Sequence, residues 1–174
     1  MKSLVALSLS IGVIGGIAAA LCLGPLSGIV LIWVAFIAWA CFFAIGGDSK
    51  ALQNTIVCSI MGAVVAWIAL LIILAIPLAS VLSLPIWAGI VIAVTVTIMC
   101  LLAQIECFSA IPATVLGYAS VAGYSLQTTD ALSMGALTSA NFSNPLIVVG
   151  LSLVVGAILG MISGKVGAAL TSGE

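Results

Sequence analysis

Arginine and histidine are absent, and only 4% of the 174 residues carry a charge. A soluble domain carries about a quarter charged residues, so this chain has too little charge to cover a water-facing surface. Three lysines, Lys2, Lys50 and Lys165, stand far apart in sequence. They make no basic patch to meet phosphates, which excludes a nucleic-acid partner. Without histidine the commonest general base is missing, and neither HExxH nor GxSxG occurs, so no enzyme is expected. Cys22, Cys41, Cys58, Cys100 and Cys107 never fall at CxxC spacing; no metal site, cofactor or disulfide is expected from them. No carboxylate or lysine lies near the middle of an apolar run. Ion-coupled transport and selection by a fixed counter-charge commonly need one there.

What is present is apolar: 65% of the residues are hydrophobic and the mean hydropathy is +1.53. That describes an all-α integral membrane protein, with residues 1–174 forming one polytopic domain whose solvent is the lipid bilayer. A spanning helix needs about 20 residues, and charges and prolines cut the chain into six such pieces. The expected spans are Leu4–Leu23, Leu26–Ile45, Asn54–Ile76, Ile86–Ile105, Cys107–Tyr124 and Pro145–Ser163. The start, Lys2 with an apolar run and Ala18-Ala19-Ala20, resembles a signal peptide but is longer than the usual apolar region. Six crossings place both termini and the loop after span two on one face. All three lysines sit there, which marks that face as cytoplasmic.

Small residues at four-residue spacing let helices approach closely in lipid. Ser152, Gly156, Gly160 and Gly164 form such a stripe in span six, and Gly12 and Gly16 form one in span one. Ala113 and Gly117 repeat the spacing in span five. These are expected to be packing faces, within one chain or between copies of a homo-oligomer. Trp87 falls where an interfacial anchor is expected, whereas Trp33, Trp39 and Trp67 sit deeper and need acceptors for their indole N–H groups.

The candidate site is the junction of spans four and five, from Gln104 to Thr114. Pro112 cannot donate a hydrogen bond to the carbonyl of Phe108, so span five is expected to kink or break there. Backbone opened inside a bilayer is tolerated only within protein or beside a wet cavity, and transporters build solute sites from broken helices. Ser109 and Thr114 flank the break with hydroxyls. Glu106 is either a carboxylate favoured by the helix dipole or a gate at the cytoplasmic mouth. Gln53 and Asn54, and Asn141 and Asn144, are either caps or amide donors for a polar solute. Cys41-Phe-Phe-Ala-Ile and Cys107-Phe-Ser-Ala-Ile agree at four of five positions, a weak sign of a repeat in so biased a sequence.

Trp33–Gly47, WVAFIAWACFFAIGG, together with Phe108–Ala119 and the closing Gly160-Met161-Ile162-Ser163, resembles a bacterial inner-membrane family, YcdZ-like proteins or domain of unknown function 1097. The resemblance implies a small multi-pass protein of the bacterial inner membrane and supplies no activity. Three functions are thus compatible with the sequence. The first is a channel or facilitator for a small, uncharged polar solute, with Phe108, Ser109, Pro112, Thr114, Glu106 and Gln104 on its path. The second is an accessory or scaffolding subunit of a membrane complex. The third is a secondary carrier using Glu106.

Overall fold

Proline, glycine and side-chain caps set the helix boundaries in the computed structural model, which describes residues 2–171. Helix α1 (Ser3–Leu23) stops at Gly24-Pro25, because the residue before a proline is pushed out of the helical region. Turns carry the chain to α2 (Ile32–Ala44). Gly46 and Gly47, with φ of 131° and 68°, fold it back into α3 (Ser49–Ala75), a reversal that residues with a Cβ rarely make. Asp48 caps α3, its Oδ1 accepting from the Ala51 N–H at 2.7 Å. A single turn, α4 (Ala79–Leu82), precedes α5 (Leu84–Leu101), which tightens into a 3-10 turn over Leu102–Gln104. A second 3-10 turn, Glu106–Phe108, leads to α6 (Ile111–Gln127). The short α7 (Met134–Leu137) interrupts the crossing to α8 (Pro145–Leu170), which Asn144 caps through the Leu146 N–H at 2.9 Å.

Four segments are long and apolar enough to cross a membrane: Ser3–Leu23, Ser49–Ala75, Leu84–Gln104 and Pro145–Leu170. The second expected span is shorter than the sequence suggested. Leu26–Leu31 is irregular, with Gly28 at φ 77°, and α2 keeps 13 residues. The fifth span is corrected more sharply. No helix runs through Phe108 to be kinked, because Pro112 lies in the first turn of α6. There its missing N–H removes no intrahelical bond and its fixed φ suits the helix, so the proline starts the element instead of breaking it. The interruption lies one turn earlier, over residues 105–110.

The six larger helices divide into two triplets whose contacts and burial correspond under a two-fold exchange of α1 with α5, α2 with α6 and α3 with α8. The two most extensive contacts, α3 on α6 and α8 on α2, are exchanged by it; so are α1 on α8 and α5 on α3. Burial follows the same rule. With Ile32 laid on Ile111, the buried residues of α2 (Val34, Ala35, Ala38, Trp39, Cys41, Phe42) fall on Ala113, Thr114, Gly117, Tyr118, Ser120 and Val121, all buried. With Gly62 laid on Gly156, Thr55, Cys58, Ser59, Ala63, Ala66 and Ala69 fall on Val149, Ser152, Leu153, Ala157, Gly160 and Ser163, again all buried. Helices α3 and α8 touch each other at the centre. Helices α1 and α5 lie outermost, with 22% and 17% of their apolar windows buried against 39% and 50% for α3 and α8.

Glycine permits the two main crossings. A Cβ on Gly62 would run into the Thr114 carbonyl oxygen, and one on Gly117 into that of Ser59. In the matching crossing, a Cβ on Gly156 would meet the Ala35 carbonyl, and one on Gly160 would come within 2.8 Å of the Phe42 ring. Backbone thus touches backbone, the geometry that small residues make possible between helices in lipid. A Cβ on Gly164 would sit 3.6 Å from the Phe43 ring, an ordinary contact. Gly12 and Gly16 behave differently: among the described residues nothing lies within 4 Å of a Cβ placed there, and α1 packs through Ala6, Ser10 and Gly15 instead.

The deep indoles find acceptors. Trp39 Nε1 donates to Ser163 Oγ at 2.9 Å and Trp67 Nε1 to the Leu137 carbonyl at 2.8 Å. Trp87, expected as an interfacial anchor, is buried and donates to the Ile73 carbonyl at 3.3 Å, so it fastens α5 to α3. Trp33 remains exposed.

Candidate functional site

One end of the bundle gathers the starts of α1 and α3 and the ends of α2 and α8. Ser3, Gly47, Ser49 and Lys165 share a cavity there. Lys2 caps α1 at the same end and Lys50 opens α3. The three lysines therefore lie at one end of the molecule.

At this end the interruption between α5 and α6 meets the first turns of α3. Ser49, Lys50, Gln53 and Asn54 face Ile105, Glu106 and Cys107 across a cavity of about 700 Å³. Both walls follow from local chemistry. The Asp48 cap fixes the start of α3 and so the direction in which Lys50, Gln53 and Asn54 project. On the other wall, Ile105 is extended, with φ −85° and ψ 125°, between two 3-10 turns. Ile105 N–H donates to the Leu102 carbonyl and Phe108 N–H to that of Ile105, both at 2.9 Å. The stretch is thereby held as ordered backbone, with Glu106 and Cys107 exposed on its surface. One cation, Lys50, and one anion, Glu106, share the cavity with two side-chain amides and a hydroxyl. Such a lining supplies both donors and acceptors at little net charge.

The residues named from the sequence divide at this point. Glu106 lines the cavity, as do Gln53 and Asn54. Gln104, Ser109 and Pro112 are exposed at the same end, and Phe108 is half-buried. Thr114 is fully buried, its Oγ1 donating to the Ile111 carbonyl at 2.8 Å, and its backbone sits against Gly62. It belongs to the α3–α6 crossing, not to the cavity wall. Lys50 and Cys107 line the cavity without having been singled out for it. Only their nearness to Asp48 and Glu106 in sequence could have pointed to them.

The interior beside the break is held by a repeated device. Leu31, which precedes α2, donates its N–H to Ser152 Oγ on α8 at 2.8 Å. Cys58 on α3 donates its thiol to the Cys107 carbonyl at 3.5 Å, in the turn that leads to α6. Ser152 and Cys58 are two-fold equivalents, and each ties its long helix to the segment that leads into the short helix of the other triplet. Among the described residues, no three His, Cys, Asp or Glu side chains cluster to hold a metal ion.

Residues 8–168 match a family described as a protein of unknown function, DUF1097. The chain belongs to that family. The match takes in all six larger helices and both halves of the two-fold arrangement. No curated protein and no solved structure matches the chain. This DUF1097 protein is thus a helical membrane protein by its apolar helices.

Proposed function

We propose that this protein crosses the bacterial inner membrane six times, with both termini in the cytoplasm. We propose further that it works as a homo-oligomeric channel or facilitator for a small, uncharged polar solute. The observation that carries this reading is the polar cavity at the α5–α6 interruption, where Gln53, Asn54, Lys50 and Glu106 converge in a chain with almost no other charge. Amides and hydroxyls recognise neutral solutes by hydrogen bonds, and the opposite charges of Lys50 and Glu106 leave no net field to select an ion. The lysines at one end support the orientation. Proteoliposomes assayed by osmotic shrinkage with urea, acetamide, glycerol and ammonia test the reading. Permeability above that of empty vesicles is expected for at least one. Replacing Gln53 and Asn54 together by leucine is expected to lower it about tenfold, the equivalent of ~1.4 kcal/mol in lost hydrogen bonding. No permeability to any of the four overturns the reading.

A second reading has its own support. Gly12 and Gly16 present an open small-residue face on α1 that meets nothing in the chain, as an accessory subunit docking on a larger membrane protein would. Purification in mild detergent separates the two: a stoichiometric foreign partner favours the accessory role, and a lone symmetric oligomer favours the channel.

A further inference from the structure

The two-fold exchange has a counterpart for the cavity at Glu106. Exchanging α3 with α8 and α6 with α2 carries that cavity onto the start of α8 and the irregular stretch entering α2. A second cavity, about 820 Å³, lies there, with Gly28 on one side, Asn141 and Ser143 on another, and Tyr124, Thr128 and Asp130 at the end of α6. We propose that the two cavities are opposite mouths for one solute, and that it passes between them by a shift of one helix triplet against the other. The inference rests on the transport reading above and adds the second mouth and the manner of passage.

Three observations support it. The first is position: the cavities flank the two ends of α6, whose 17 residues separate them by about 25 Å. The second is chemistry. Each mouth offers one carboxylate, Glu106 with Lys50 at the first and Asp130 without a lysine in the lining at the second, together with hydroxyl and side-chain amide groups, so hydrogen bonding to a small polar solute is available at both. The third is a pair of buried hydroxyls without a hydrogen-bond partner: Thr55, one residue after the cavity-lining Asn54, and Ser125, one residue after the cavity-lining Tyr124. An unsatisfied buried hydroxyl is costly, and a solute moving inward from either mouth would supply the missing bond.

Between the mouths, the Gly62 and Gly117 contacts close the α3–α6 crossing, and Gly156 closes α8 on α2. At these glycines backbone meets backbone, so the α3–α6 crossing can slide as shear interfaces do, while the Phe42 ring seated against Gly160 holds α2 to α8. Inverted triplets rocking about a central contact are a known way to move a solute without an open pore.

Sealed membrane vesicles of both orientations, treated with a membrane-impermeant maleimide, test the geometry. Exposed Cys107 lines the first mouth and is expected to label from one face only. In a Cys107→Ser, Ser143→Cys variant, where Ser143 is exposed, labelling is expected from the other face only. Labelling of both positions from one face overturns the proposal. Flux is then measured in proteoliposomes with whichever of urea, acetamide, glycerol or ammonia the unaltered protein passes. A bulky maleimide at either position is expected to reduce it at least fivefold. If the adduct at Cys107 blocks and the adduct at position 143 does not, the second mouth is overturned while the transport reading stands. If the unaltered protein passes none of the four, the transport reading fails and this inference fails with it.

Discussion

The triplet α1–α2–α3 and the triplet α5–α6–α8 bury the same positions with different side chains. In the first, Phe42 fills the crossing and Gly160 of α8 makes room for it, where a Cβ would come within 2.8 Å of the ring. At the equivalent place in the second, Val121 of α6 and Ala66 of α3 lie in the same core cluster. A large–small pair is exchanged for a medium–medium pair, which is how close-packed interiors tolerate substitution. The segments that lead into the short helices are tied down differently, with Ser152 accepting from the Leu31 N–H and Cys58 donating to the Cys107 carbonyl. The loops diverge most. Gly46, Gly47 and Asp48 return α2 to α3 within a few residues, whereas the stretch from Thr128 to Asn144 carries α7 and much of one cavity. The difference teaches that the constraint on this fold is shape at the helix crossings, and that the connections are left to vary at the surface, where solute would enter.

The strongest way to break the comparison is at the crossings. Gly62→Ala and Gly156→Ala each force a methyl group into a neighbouring carbonyl. Each is expected to cost about 3 kcal/mol, read from unfolding in mixed detergent micelles. A large loss for one and none for the other would dissolve the equivalence. Gly12→Ala, which meets open space, is expected to be neutral in the monomer. Next in size, Gly160→Ala is expected to cost about 2 kcal/mol because the Phe42 ring is in the way. Adding Phe42→Val builds the pair that the other triplet already uses, and recovery of at least half the loss in the same assay is expected. The ties between long helices and entry segments come third. Ser152→Ala should cost about 1 kcal/mol and Cys58→Ala about half as much, because a thiol is the weaker hydrogen-bonding group. Amide exchange at Leu31 should quicken in the Ser152→Ala variant only. The smallest effect is expected at Pro112. In the first turn of α6 it replaces no hydrogen bond, so Pro112→Ala should change stability by less than about 0.5 kcal/mol. A large loss would restore a proline break inside the helix.

Much of the architecture was legible because lipid demands a simple signal. Long apolar stretches between sparse charges marked the helices, and Pro85, Pro112 and Pro145 marked starts of helices once read as first-turn residues. Pro112 was misread because its sequence context, an apolar run on both sides, is the same for a kink as for a start. Distinguishing them needs the irregular backbone of residues 105–110, which no composition encodes. The repeat was missed for a related reason. The visible match between Cys41-Phe-Phe and Cys107-Phe-Ser is not the one the structure makes, which lays Cys41 on Ser120. Equivalence here lives in burial and in glycine contacts, and those permit Phe42 opposite Val121 or Trp39 opposite Tyr118. At the site, Glu106, Gln53 and Asn54 were legible as scarce polar groups. That they share one cavity was not, because they lie on segments more than 50 residues apart, at the start of α3 and after α5.

Composition by itself determined the solvent of this protein, since a chain so poor in charge can satisfy its surface only against lipid. It also determined that the helices would be held by close approach of small residues. Which glycines meet a partner and which stay open, and where two polar stretches come to face each other, only the tertiary structure decided. Those depend on the angle and depth at which helices cross, and such quantities arise from pairs of distant segments.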